Sequence, residues 1–139
     1  MRVLAAALFA CWVICSEATL SAQNLSEIVS THSQAIAKSS RKTIQPAIDA
    51  LVASKLPNVE FMLVQWRAKA LWLNKSTNAI IAVQDKRMID LDTQSDLGLF
   101  EKAGFKQIKP NSGVRNLISG ALVAFQLNAP EIDVRKAAL

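Results

Sequence analysis

Apolar residues recur along this chain at two spacings, and the change falls near residue 70. Before that point the period is helical. Leu25, Ile28, Val29, His32 and Ile36 fall on one helix face, and Asn24-Leu25-Ser26-Glu27 sets a capping residue three positions ahead of a glutamate, as in a capping box. Ser39-Ser40-Arg41-Lys42 interrupts the pattern. A second helix is expected from Thr43, with Pro46 in the first turn, where backbone N–H groups have no intrahelical partner. Ile44, Ala47, Ile48, Leu51 and Val52 form its stripe, and Lys55-Leu56-Pro57 ends it. Asn58 is placed to cap a third helix with Met62, Leu63 and Trp66 on one face, so that two antiparallel helices joined by a short turn are expected.

From residue 70 the pattern alternates. Residues 70–73, 80–83 and 88–91 are short apolar segments separated by polar turns at 74–78 and 84–87, which reads as a small hairpin or meander. A lone hairpin is marginal in water, so its apolar face must lie on the helices. Ser95 is expected to cap one or two helical turns through Ala103, with Gly104 in the left-handed closing position and Phe100 and Phe105 spaced for the apolar contact of a Schellman ending. After Pro110, Asn111 or Ser112 caps the strongest helix. Val114, Leu117, Ile118, Ala121, Leu122 and Phe125 give it a continuous core-facing stripe. A last helix is expected from Pro130, with Glu131 at its positive end and Val134, Ala137 and Ala138 along its apolar edge.

The front end changes what the composition means. Met1-Arg2, an apolar run over residues 3–15 and a small, polar stretch with Ala18 and Ala22 as cleavage positions have the layout of a secretory signal peptide. As a helix that run spans about 20 Å, short of the roughly 30 Å of bilayer hydrocarbon. A buried N-terminal helix and a lipoprotein cysteine at Cys11 are the weaker readings. The organisation expected is a signal peptide at 1–22 and a single exported α+β domain at 23–139, thiol-free because Cys11 and Cys15 both leave with the signal. The net charge of +5 is compatible with an anionic membrane surface or an acidic partner. Lys102, Lys106 and Lys109, however, are spaced like an ordinary solvated face.

Candidate chemistry is sparse. The one histidine, His32, lies on an apolar stripe, and no G-x-S-x-G elbow marks a serine partner for it. Asp85, Asp90, Asp92 and Asp96 fit no calcium-loop spacing and read as turn residues; Asp90 and Asp92 as a glycosidase pair have no further support. The glycines form no phosphate-binding fingerprint. Trp66 and Trp72 flank Arg67 and Lys69, but export argues against nucleic-acid binding, and core roles fit both better. These residues point to a binding or scaffolding protein with no catalytic residue, no metal and no cofactor.

The two helices between Thr43 and Trp66, together with the Pro130-Glu-Ile-Asp-Val-Arg-Lys-Ala-Ala stretch, look like HEAT-type units with an acidic start, V-R and paired alanines at a helix head. The fold class expected is therefore α+β, mainly α, with HEAT-like helical hairpins and a small inserted β-hairpin or meander. The order of signal peptide, helical pair, LWLN hairpin, Asn111-x-x-x-Arg115 helix and V-R-x-A-A helix resembles the exported N-terminal region of the urea ABC transporter permease subunit, a relative of branched-chain amino acid permeases. Ser112, Asn116 and Ala129 depart from the family pattern, in which Asn, Arg and Ser are expected.

That resemblance implies a chain continuing past Leu139 into membrane-spanning helices, and a non-catalytic domain on the periplasmic side of the bacterial inner membrane. The partners implied are the transmembrane permease region, ATPase subunits and a periplasmic substrate-binding protein. Asn111 and Arg115 are the candidate binding residues. A free-standing secreted helical binding module is the alternative reading, and a small exported hydrolase using His32 the third.

Overall fold

A computed structural model describes residues 23–128; the signal segment and the helix expected from Pro130 lie outside the described residues. Two short helices, α1 (Leu25–Thr31) and α2 (Ser33–Lys38), come first. The side chain of Asn24 accepts from the Glu27 amide at 2.8 Å, so the capping residue read from the sequence caps α1. The single helix expected there breaks at His32, whose ψ of 11° ends α1 before α2 begins. Ser39 then closes α2 in the left-handed region, at φ 45°.

α3 (Gln45–Ser54) carries Pro46 in its first turn, and α4 (Asn58–Arg67) follows after Pro57. Asn58 does not cap α4 as expected: it is the first helical residue, and its side-chain amide is bonded to Asp92 instead. Next come β1 (Leu71–Asn74), β2 (Ile80–Gln84), β3 (Arg87–Ile89), β4 (Asp96–Leu99), a 3-10 turn at Lys102–Gly104, β5 (Phe105–Gln107) and α5 (Ser112–Leu127). The five strands form one antiparallel sheet in the order β4-β3-β2-β1-β5.

The sheet has two working faces because side chains alternate along a strand. Leu71 pairs with Ala82 and Leu73 with Ile80, and these residues lie against the buried core that the helices share. Trp72 pairs with Ile81 on the opposite face, as Val83 does with Met88. β4 and β5 are the two outer strands, so the segment between them must cross the sheet. It does so with Phe100, whose ring lies tilted against Trp72 at a centroid separation of 4.8 Å, and with Phe105, which packs on Phe100 in turn at 5.3 Å.

Two expectations are overturned. Helix accounts for about 49% and strand for about 18% of the described residues, in a complete five-stranded sheet rather than a small inserted hairpin. The chain is α+β, but HEAT-like helical hairpins are absent from the described residues. α3 and α4 each pack on α5 instead of against one another along their lengths, and α1 packs on α3. The helices thus form a layer organised by the strongest apolar stripe, that of α5.

The second correction concerns residues 95–103. Asp96-Leu97-Gly98-Leu99 form an edge strand where helical turns were expected, and Gly98 at φ 111° sits where the β3–β4 register shifts. The apolar contact expected of Phe100 and Phe105 exists, but on the sheet rather than at a helix end. Elsewhere the alternation is well read: β1, β2 and β3 fall within a residue or two of the expected segments, and the β2–β3 turn is closed by Asp85 and Lys86 at positive φ.

Candidate functional site

Asn111 and Arg115, the residues singled out for binding, lie at the head of α5 and behave differently. Asn111 is extended, with ψ 174°, and its carboxamide oxygen accepts from the Val114 amide at 2.9 Å. Its Nδ2 donates a long bond, 3.5 Å, to the carbonyl of Ser39. The backbone N–H of Arg115 donates to the Asn111 carbonyl at 2.9 Å. Its exposed guanidinium makes no hydrogen bond or ion pair among the described residues. Asn111 is a structural cap, and Arg115 is a cation available to solvent.

This split predicts two different outcomes. Asn111→Ala is expected to cost about 1 kcal/mol of stability, which in a domain of this size lowers the melting temperature by roughly 4–8 °C. Arg115→Ala is expected to leave it within about 1 °C, because no bond is lost. Thermal unfolding followed by circular dichroism checks both; a comparable fall for Arg115→Ala would give that side chain a structural role.

Behind Asn111 lies a junction whose centre is Ser39. Only 3% exposed, Ser39 donates its hydroxyl to the Ile36 carbonyl at 2.6 Å and accepts the indole N–H of Trp66 at 3.3 Å. With the Asn111 bond to its carbonyl, this one residue ties α2, α4 and α5 together. Arg41 lies across Gly113, so near that a Cβ added at Gly113 would meet Arg41 Cδ at 2.8 Å. Sequence reasoning treated Ser39–Lys42 as a mere interruption. A buried serine beside a buried tryptophan leaves no periodic signal, since the two are 27 residues apart.

The aspartates are turn and capping groups. Asp90 Oδ1 accepts from the amides of Asp92 and Thr93 and from the Thr93 hydroxyl, all within 3.0 Å. Asp92 reaches α1 and α4: its carboxylate accepts from the Leu25 and Ser26 amides at 3.1 Å and from Asn58 Nδ2 at 2.9 Å. Burial pushes its carboxyl up, and hydrogen bonds from the Ser26 side chain, the Ser26 and Leu25 amides and Asn58 outweigh this, for a net lowering. Asp96 accepts from Arg87 and from the Gly98 amide, which hold its carboxyl low. Asp90 and Asp92 do not confront each other across a cleft: each is occupied by local or capping bonds.

Three concavities border the helices. His32 lines one of about 250 Å³ with Glu27, Thr31 and Ser54, a composition that contains the parts of a triad. The parts are not assembled: the Thr31 hydroxyl donates to the Glu27 carbonyl, the Ser54 hydroxyl to the Leu51 carbonyl, and neither is bonded to His32. A second, of about 410 Å³, opens between α1 and the sheet, beside Ser26, Ser30, Thr77 and Asp90. The third is a groove of about 470 Å³ between α3 and α5, floored by Ile48, Val52, Gly120 and Ala121.

Among the described residues no group of three or more His, Cys, Asp or Glu side chains is placed to hold a metal, and no helix is long and apolar enough to cross a membrane. Comparison with family models, curated proteins and solved structures returned no match.

Proposed function

We propose that residues 23–139 form a non-catalytic domain on the periplasmic side of a urea-type ABC transporter permease, where it takes part in ATP-driven urea uptake. The reading rests on the order of sequence segments that resembles that family, with the Asn111-x-x-x-Arg115 helix head followed by the segment from Pro130. The observation that carries it is the state of that head. Asn111 is consumed as the α5 cap while the Arg115 side chain makes no bond among the described residues, which suits a scaffold element with one side chain left for contact.

On this reading the signal segment exports the domain, and the partners are the transmembrane region of the permease, its ATPase subunits and the periplasmic substrate-binding protein. The groove between α3 and α5 favours a second reading, a free-standing secreted binding module.

Labelled-urea uptake in the native host separates the two. The coding sequence beyond Leu139 is expected to run into apolar stretches of about 20 residues, and in-frame deletion of residues 23–128 is expected to abolish uptake, with immunoblotting to establish that the permease persists. A stop codon directly after Leu139, or undiminished uptake with the deletion in place, would overturn the transport reading and favour the free module.

A further inference from the structure

The described body has two chemically different ends. α4 runs opposite to α5: Gln126 Nε2 donates to Glu60 Oε1 at 2.9 Å where α5 finishes and α4 begins, and Ser39 joins Trp66 to Asn111 where α4 finishes and α5 begins. The described chain both enters and leaves at the first end. Leu25 is bonded to the same Asp92 that holds Asn58 at the head of α4, and Leu127 closes α5 close to Glu60.

The second end gathers cations. Lys38 closes α2, Arg41 and Lys42 follow Ser39, Arg67 follows Trp66, Lys109 precedes the α5 cap and Arg115 sits in the first turn of α5; all six are exposed. None forms an ion pair among the described residues. The segments that carry these six cations, residues 38–48, 61–68 and 107–119, contain no aspartate or glutamate. The nearest carboxylates along the chain are Asp49, bonded to the Gln45 amide group, Glu60, bonded to the Gln126 amide group, and Glu101, eight residues before Lys109. Six cations outnumber the net charge of +5, so the rest of the chain is close to neutral.

Like charges held together without counter-charges repel and work against the compact state, and an anionic partner relieves that repulsion. Acidic groups at the far end do not cancel the field. α5 separates the ends by about 24 Å, some three Debye lengths at physiological salt, where the Debye length is about 8 Å.

We infer that this basic end is a docking surface for the acidic face of a water-soluble protein. A lipid surface is disfavoured on two grounds. Any tether joined at residue 22 or residue 129 attaches at the opposite end, so the cations point into the aqueous phase. The large exposed apolar side chains that could anchor in a bilayer, Leu97, Leu99, Val123 and Leu127, belong to other parts of the body, and only Val64 lies within a helical turn of the cluster. The inference stands on charge and topology, and it holds equally for a permease domain and for a free module.

The test titrates the full chain with a fluorescent oligoglutamate peptide and, separately, with phosphatidylcholine vesicles containing about 30 mol% phosphatidylglycerol. Arg41→Glu/Arg115→Glu is compared with Lys102→Glu/Lys106→Glu, which changes the net charge equally away from the cluster, and circular dichroism establishes that both fold. Lys42→Glu/Lys109→Glu serves as a second pair within the cluster. Both cluster pairs are expected to weaken peptide binding by about tenfold or more, against less than about twofold for the control, with the peptide preferred to vesicles at equal anionic charge. Equal losses in cluster and control variants, absence of peptide binding at low salt, or preference for the vesicles each overturns the inference.

Discussion

Trp66→Ala is expected to remove a large share of the stability of this protein. The side chain is fully buried, and deleting a buried tryptophan costs about 3–5 kcal/mol through lost transfer energy and the cavity left behind, set against a total of roughly 5–15 kcal/mol for a folded domain. Its indole also carries the one side-chain bond that fastens α4 to Ser39. Ser39→Ala isolates that component: the buried indole N–H loses its acceptor, a loss of about 1–3 kcal/mol, while the tryptophan volume stays. Because the two residues are in contact, the double variant should cost less than the sum of the single ones. Urea unfolding of the four proteins measures this. A Trp66→Ala cost below about 1 kcal/mol would mean that the core is not organised around this residue.

That junction shows where reading a sequence succeeds and where it stops. The stripe of α5 and its Asn111 cap are local patterns, written within sixteen residues, and they appear where periodicity places them. β1, β2 and β3 are equally local. The HEAT-like pairing failed because stripe positions identify a buried face without identifying what it is buried against; α3 and α4 both turn theirs to α5. β4 was missed because an edge strand has little periodic burial to display: Leu97 is 50% and Leu99 71% exposed. Gly104 and Ser95 then supplied helix-end chemistry without a helix. Arg115 was a candidate only through the resemblance of Asn111-x-x-x-Arg115 to the permease pattern, and the basic end to which it belongs needed the fold. Lys38 and Arg41, Arg67, and Lys109 come from three segments that only the α4–α5 and Ser39–Asn111 contacts bring together.

Asp92 provides the second large effect, and it depends on pH. Asp92→Asn is expected to destabilise the protein by about 2 kcal/mol at neutral pH, since the first two amides of α1 lose a charged acceptor and Asn58 loses its partner. Asn58 has no spare partner: its Oδ1 is buried without one, and its Nδ2 donates to the Asp92 carbonyl and carboxylate, joining the head of α4 to the β3–β4 connection. The carboxyl of Asp92 lies below its ordinary 3.8 in the folded protein. A depressed folded value means that the carboxylate contributes fully above the unfolded value, and that its contribution disappears as the pH falls through the folded one. The gap in urea midpoint between the native protein and Asp92→Asn should therefore be constant from neutral pH down to about 5 and shrink below about 4. Asp96→Asn is the control, because its carboxyl is also lowered, but by the exposed Arg87 and the Gly98 amide in an edge strand; exposed pairs contribute little, and it should scarcely move the midpoint. A gap that stays open under acid would assign the destabilisation to packing of the asparagine, and the charged bridge from Asp92 to α1 and α4 would not be what closes that end of the molecule.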